Sequence, residues 1–512
     1  MIVTVTVGDS VGVVGVGQLP PPTQPSTAGP LDRLAVWRPT DNVRGWVVTL
    51  TVTLLGGLVR FWNLDLPTDR GTPVFDEKYY AREAWEMLRN GGYEDNPGHL
   101  FIVHPPVGKY LIALGEWMFG YNAIGWRFAA AVAGTVCVFL IVRIGRRLTR
   151  STMLGALAGV FLICDGVSHV QSRIGLLDIF VALFVVIAFG CLLVDRDVVR
   201  NRLAIAVAEG WSSRWGPRLG FRWWRFACGV SLGLACGVKW NGLYYVVAFG
   251  LLSVVWDATA RRAAGVERPW VGTVVRDLLP ALWSLAIVPV LVYFGTWWAW
   301  FGSETGYDRH TASSAFKSLL GYETEALRFH ESLVSSKYHH NWESKPWTWP
   351  MGLRPMLYYI EQSPSPLAAG CGATQCVSGQ MLIGTPALWW LAFPMIGWSL
   401  WRALIKFDWR HAAVMVGYLA GLLPWFINLD RQMFFFYVTP MAPFLVLGLV
   451  LACGDILGRA RAVSERRGTG LLVVAPYTGL VVADFAWLWP ILNGDPISAA
   501  QWQAELWLPS WR

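Results

Sequence analysis

Residues 45–63 read GWVVTLTVTLLGGLVRFWN, and residues 74–80 read VFDEKYY. The first run holds a single charged group, Arg60, near its end. As an α-helix it would reach about 28 Å at 1.5 Å per residue, close to the roughly 30 Å of a bilayer's hydrocarbon core. The second run follows a short polar link and sets two adjacent carboxylates, Asp76 and Glu77, at the mouth of that span. Charge held at a membrane edge is costly and is a common mark of a functional position. Together the two runs predict a helical membrane protein whose chemistry sits at one bilayer surface.

The rest of the chain agrees. Of its 512 residues 54% are apolar, 14% aromatic and only 15% charged, with 31 tryptophans and a mean hydropathy of +0.41. Soluble domains carry about 25% charged residues, and tryptophan collects at membrane interfaces. Apolar segments recur at 45–63, 124–142, 152–169, 174–194, 224–240, 242–257, 278–300, 383–405, 411–427, 433–453 and 470–491, which predicts eleven transmembrane helices. The net charge of +8 is not a nucleic-acid footprint, because the basic residues crowd into alternate loops: Arg143 to Arg150, Arg196 to Arg225, Arg261 to Arg276, Arg402 to Arg410 and Arg459 to Arg467. The short loops of the other set hold one cation each, Arg173, Lys239 and Arg431. The positive-inside rule then puts the amino terminus in the cytoplasm, and Asp76, Glu77 and the carboxyl terminus outside a plasma membrane that the chain crosses many times.

Three regions follow. Residues 1–42, rich in Val, Gly, Pro and Thr and without the basic start of a signal peptide, read as a disordered cytoplasmic tail. Residues 43–491 form the transmembrane domain, with long outer loops at 64–123 and 301–382, and 492–512 read as an extracytoplasmic tail. In the first loop Tyr80, Ala84, Met87 and Leu88 recur at helical spacing opposite Lys78, Arg82, Glu83 and Arg89, which predicts an amphipathic surface helix ended by Gly91-Gly92. A second such helix is predicted over 107–119, entered through Pro105-Pro106. Cys371 and Cys376 lie close together in the second loop; a disulfide and two free thiols both stay open.

Arg60, Arg127, Arg173, Lys239 and Arg431 fall at one membrane depth with Asp76 and Glu77. Such a ring suits a phosphate whose attached chain lies in the lipid; simple snorkelling of each cation to the headgroups is the plainer alternative. A sugar carried on a lipid phosphate fits the chemistry. Phosphate leaves without a general acid, given positive charge to receive it, and the attacking hydroxyl needs one base. Glycoside hydrolysis would need two carboxyls flanking the bond. Neighbours on a helix point apart, so one carboxylate is expected to take the proton and the other to orient a partner; an ordinary helix cap is the alternative for Asp76. His104, held extended by Pro105, either lines the site or caps the next helix. His330, His339 and His340 match no strong zinc spacing and read as polar loop surface. No metal ligand set is expected, and a need for a divalent metal stays open. Walker A and dinucleotide fingerprints are absent.

The Asp76-Glu77 pair after the first span, His104-Pro105-Pro106 with Lys109, Leu176-Leu177-Asp178 at the start of the fourth span, and Val238-Lys239-Trp240-Asn241-Gly242-Leu243 after the fifth come in an order that resembles the protein O-mannosyltransferases, membrane glycosyltransferases of the GT-C class. The resemblance covers about residues 45–490. It implies an all-α GT-C fold and inverting transfer of mannose from a polyprenyl-phosphate-mannose donor to Ser or Thr of secreted or membrane proteins on the outer face. It implies Asp76 as the catalytic base with Glu77 as its essential neighbour, Arg60 and Arg127 near the donor, Lys239 on the phosphate, and Lys109, Asp178 and Asn241 along the site. Unfolded or translocating secretory chains become the expected acceptors, with the secretion translocon as a candidate neighbour. One departure stands out. Eukaryotic members carry a β-trefoil after the seventh span, and 301–382 is too short and too rich in Trp for one, so the chain looks like the bacterial form. Two alternatives stay open: a GT-C relative with another lipid-linked sugar or a lipid or polysaccharide acceptor, and a flippase or transporter, although that class favours mid-membrane charges on broken helices.

Overall fold

The computed structural model describes residues 29–36, 42–95, 103–211, 213–337, 339–363, 370–458 and 464–512. The first half of the chain runs through α1 (Pro30–Leu34), α2 (Val43–Phe61), α3 (Glu77–Arg89), α4 (Val107–Phe119), α5 (Ala123–Thr149), α6 (Thr152–Ile163), α7 (Gly166–Gln171), α8 (Asp178–Ala208), α9 (Trp223–Val238) and α10 (Gly242–Ala263). Leu278–Thr296, Ala392–Leu404, Trp409–Leu422, Ala442–Leu457 and Ser464–Asn493 complete the bundle. Every one of the eleven apolar segments therefore holds a helix. Among the described residues, six are both long and apolar enough to cross a membrane: α2, α5, α8, α10, Leu278–Thr296 and Arg466–Asn493. The other five segments form shorter helices, some extended by a separate turn, as α7 extends α6 and the 3-10 turn Leu423–Phe426 extends Trp409–Leu422. The segment expected to start at 383 begins its long helix only at Ala392, after the short turn Pro386–Trp389.

Burial sorts the helices. α5, α8 and Ala442–Leu457 are covered on most sides and form the centre. α2 turns Leu50, Leu54, Leu55 and Leu58 outward, as a helix against lipid does. Helices approach closely where glycine replaces a side chain. A Cβ on Gly134 of α5 would lie 1.9 Å from Ser172 Oγ and 2.8 Å from Arg60 Nε, so this glycine is what lets Arg60 reach Ser172.

The two ends differ. At the end carrying the basic clusters, charges pair below the surface: Arg222 with Asp195 and Asp257, Arg225 with Asp257, and Arg261 with Asp277. The tail expectation needs correcting here. Residues 29–36 are ordered, with α1 packing Leu34 against Val199, Leu203 and Ala260, because a buried leucine anchors the turn. Residues 1–28 and 37–41 lie outside the described residues.

At the opposite end the helical fold carries a small sheet that the sequence reading does not include. β1 (Met356–Ser363), β2 (Cys376–Leu382) and β3 (Ile497–Ser498) form an antiparallel sheet in the order β1-β2-β3. Cys371 and Cys376 are joined by a disulfide at the entry to β2, with Cα atoms 6.0 Å apart. β3 pairs with Cys376 and Val377 and leads into a helix, Ala499–Glu505, so 497–512 is part of this layer and no loose tail. Trp502 and Trp511, both buried, hold it down. The two predicted surface helices form as α3 and α4. One detail differs: Glu83, expected on the polar face, is buried against Lys109.

We expect Gly134→Ala to lower the thermal midpoint in detergent, although alanine favours a helix by about 1 kcal/mol, because the methyl displaces Ser172 and Arg60 from their hydrogen bond. Overpacking of this kind costs about 1–3 kcal/mol. Gly250→Ala, where no atom lies within 4 Å of the added methyl, should leave the midpoint unchanged or raise it.

Candidate active site

The return from α2 to α3 builds the site. Phe75 sits at φ 49°, a left-handed conformation that a bulky residue rarely takes. Its ring is held by Tyr358 of β1, stacked at 4.8 Å, and by the edge of Phe436 at 6.3 Å. Such local strain persists only where the surroundings over-determine it. Here it separates the directions of the next two side chains.

Glu77 goes inward and is completely buried. Its carboxylate receives Arg127 Nε at 2.7 Å and Nη2 at 2.8 Å, and the backbone N–H groups of Gly175 at 2.7 Å and Val74 at 3.1 Å. Arg127 gives its other bonds to the carbonyls of Leu64, at 3.2 Å, and Pro67, at 2.7 Å. The carboxylate accepts four bonds, and Arg127 commits four of its five donors. They fasten the start of α3, the 62–76 return, α5 and the approach to α8 at one point.

Asp76 stands at the position before α3, yet its side chain makes no cap bond. It is half-buried and, among the described residues, without a hydrogen-bond partner. Burial pushes its carboxyl up to about 6, against the pull of Lys239 and Lys78 and with a smaller push from Asp178. Lys239 Nζ donates to Asp178 Oδ2 at 2.7 Å and lies 5.5 Å from the Phe436 ring. Asp178 is its one hydrogen-bond partner among the described residues, so two of the three ammonium donors are uncommitted. Asp178 Oδ1 is likewise buried without a partner.

Two imidazoles complete the wall. His104 lies between Tyr80, at 5.9 Å, and His330, at 5.5 Å. Burial, with Lys239, His330, Lys109 and Arg431 adding to it, holds His104 well below its usual range. Burial, then Arg431 and Lys239, bring His330 to about 4. Both rings are therefore neutral at pH 7. Arg431 Nη1 donates to the His330 carbonyl at 2.7 Å, while its buried Nε has no partner. The loop carrying Arg431 is strapped to the 333–335 segment by Ser335 N–H to the Asp430 carbonyl, 2.7 Å, and Gln432 N–H to the Leu333 carbonyl, 2.9 Å.

The predicted cation ring divides in two. Arg60 is buried and bonds Ser172 Oγ, Ser168 Oγ and the carbonyls of Gly56 and Leu162, all within 3.2 Å. Arg173 donates to the carbonyls of Arg60, Trp62 and Asn63, satisfying the open C-terminal end of α2. With Arg127 taken by Glu77, these three arginines direct their donors to protein groups. Lys239 and Arg431 remain, and both bear on the same two imidazoles. Lys109 also departs from its expected place. It is 1% exposed, clasped between Glu94 and Glu83, and it fastens α4 to α3. Asn241 lies two residues after Lys239 in the chain, and its Oδ1 is buried without a partner among the described residues.

His330 and Tyr358 were missed. His330 read as loop polarity, although it ends the long helix Ala315–Ser332, and Tyr358 lies in a strand that the aromatic content of its region disguised. Among the described residues no three His, Cys, Asp or Glu side chains are grouped as metal ligands.

The fold is that of the GT-C glycosyltransferases. The solved Saccharomyces cerevisiae protein O-mannosyltransferase Pmt1-Pmt2 complex, bound to the sugar donor, matches with a TM-score of 0.70 over 94% of each chain at 14% identity. The family described as dolichyl-phosphate-mannose-protein mannosyltransferase matches residues 50–126 and 122–302, and the C-terminal four TMM region of protein-O-mannosyltransferase matches 315–511. Polyprenol-phosphate-mannose-protein mannosyltransferases are similar along nearly the whole chain. That of Mycobacterium tuberculosis is 54% identical over 499 residues, covering 94% of this chain and 95% of that one. That of Mycolicibacterium smegmatis is 51% identical over 524 residues, with 99% of both covered. The chain belongs to the protein O-mannosyltransferase family, whose members are multi-pass membrane glycosyltransferases.

Glu77→Ala strands the Arg127 guanidinium in the interior. Breaking a buried pair from one side costs about 3–5 kcal/mol, so we expect little monodisperse protein on size exclusion in detergent. Asp76→Asn removes no hydrogen bond and should elute and melt like the parent.

Proposed function

We propose that the chain transfers mannose from polyprenyl-phosphate-mannose to Ser or Thr hydroxyls of secreted or membrane proteins, at the extracytoplasmic face of the plasma membrane. One observation carries the reading: a carboxylate with no hydrogen-bond partner among the described residues, raised to about 6, near a lysine with donors to spare. The near-full-length similarity to polyprenol-phosphate-mannose-protein mannosyltransferases supports the donor and the acceptor class. The crowding of arginines at the other end of the bundle supports the orientation.

In this mechanism the donor phosphate lies against Lys239 and Arg431, with its lipid chain in the bilayer. The acceptor hydroxyl sits at Asp76 and attacks the anomeric carbon from the side opposite the phosphate. The C–O bond to the hydroxyl oxygen forms as the bond to the phosphate oxygen breaks, which inverts the centre. Asp76 takes the hydroxyl proton, and the phosphate departs with its electron pair toward the two cations. Asp178 holds Lys239 in place. His104 and His330, neutral, offer hydrogen bonds to sugar hydroxyls without adding charge. Glu77 acts through Arg127 to fix where Asp76 stands.

Asp76→Asn should lower transfer to a Thr-containing peptide by about 10²- to 10⁴-fold, the usual range for a lost base, while binding of the lipid donor persists. Near-parental turnover would remove Asp76 from the role. The pH profile gives a second check. A base must be ionised to work, and its folded-state value is about 6, so kcat/KM should be level above that pH and fall about tenfold per unit below it.

A further inference from the structure

The sheet has an edge with nothing on it. β1 pairs with β2 from Met356 opposite Leu382 to Ser363 opposite Cys376, and the order β1-β2-β3 leaves its other side open. Among the described residues no backbone group bonds to that side. An unpaired strand edge is a template for another chain, and proteins commonly cover or blunt it. Here it faces a cleft of about 420 Å³. Tyr358, Tyr359, Ile360 and Glu361 all line the cleft. The pairing shifts register between Leu357 and Tyr359; beyond that irregularity alternate side chains point to opposite faces, so a space touched by the three consecutive residues Tyr359, Ile360 and Glu361 is reached by the strand's edge. The facing wall is the segment from Asp69 to Lys78, and it includes Phe75, the residue joined to Asp76.

We propose that the acceptor polypeptide binds as an added strand on the open edge of β1, threading this cleft so that one of its side chains meets Asp76. The inference rests on the transferase reading above and names how its protein substrate is held. Main-chain hydrogen bonds along the edge supply affinity, as in other cases of strand addition. The side chains on the walls are mixed, with Arg70 and Lys78 against Asp69 and Glu361, so no single charge is demanded of the acceptor. Tyr359 donates its hydroxyl to Glu361 Oε2 at 2.5 Å, fixing that carboxylate on the rim. The cleft's volume admits a short extended segment and excludes a folded domain. Acceptors are therefore unfolded stretches carrying Ser or Thr. With a period of two, a hydroxyl turned to Asp76 leaves both its neighbours facing away.

The test leaves the protein untouched. Peptides with one Thr and a single backbone N-methyl group at each position from three before to three after it are assayed with the purified full chain and polyprenyl-phosphate-mannose. Strand pairing predicts that every second N-methyl group raises KM about tenfold, the effect of one lost hydrogen bond, while those between change it by less than about twofold. An unmodified peptide bearing a photoreactive group two residues from the Thr should label 358–361. N-methyl effects without that alternation, or labelling elsewhere while mannose is still transferred, would overturn strand addition alone. An unmodified peptide that takes no mannose overturns the transferase reading, and this inference with it.

Discussion

The ion pair between Glu77 and Arg127 is the constraint on which the end of the molecule carrying the acidic pair depends. Four donors converge on one carboxylate in the dry interior, and they come from α5, from the 62–76 return and from the approach to α8. The low dielectric that makes a lone buried charge so costly also makes a fully satisfied one rigid. Because Glu77 begins α3, the pair sets both the position and the rotation of that helix. The neighbouring residue is then carried to a definite place with a side chain that no group among the described residues hydrogen-bonds. In the proposed mechanism this division of labour answers why two adjacent acids are needed: one locks the backbone so that the other is left free.

The same logic sorts the cations. An arginine's five donors in a planar fork can staple several carbonyls at once, and Arg60, Arg127 and Arg173 are used in that way. Arg173 closes the end of α2, and Arg60 ties α2 to α7 and its C-terminal cap through Ser168 and Ser172. Lysine's ammonium reaches one carboxylate and keeps other donors open. Lys239, balanced by Asp178, is accordingly the cation best suited to meet a phosphate that arrives and leaves.

Much of this was open to reading in the sequence. The helical segments, their alternating basic loops and the acidic pair beside the first span depend on local composition, which a single chain displays. The family motifs name residues without specifying their contacts. Arg60 and Arg127 were read as donor ligands because they lie at the right depth, and depth does not say which way a guanidinium turns. That is decided by Ser172, 112 residues from Arg60, and by Glu77, 50 residues from Arg127. The small sheet was hidden for a similar reason. β3 is two residues long and gains its partner only when the end of the chain returns to β2. His330 reaches the site through a loop pairing, 333–335 against 430–432, that no periodicity announces.

Neutral histidines beside the proposed base give the electrostatics a consistent sense. Were His104 or His330 charged, each would stabilise the Asp76 carboxylate and weaken its hold on a proton. Burial, together with Lys239 and Arg431, keeps both rings uncharged. Asp178 then pairs with Lys239, which reduces that lysine's pull on Asp76 and adds a small push of its own. Two cations can thus serve a departing phosphate without disarming the carboxylate a few residues away, because each has a local counterweight or lies nearer the imidazoles. The protein holds opposite charges within one site and still leaves Asp76 with an affinity for protons near that of the surrounding water's pH.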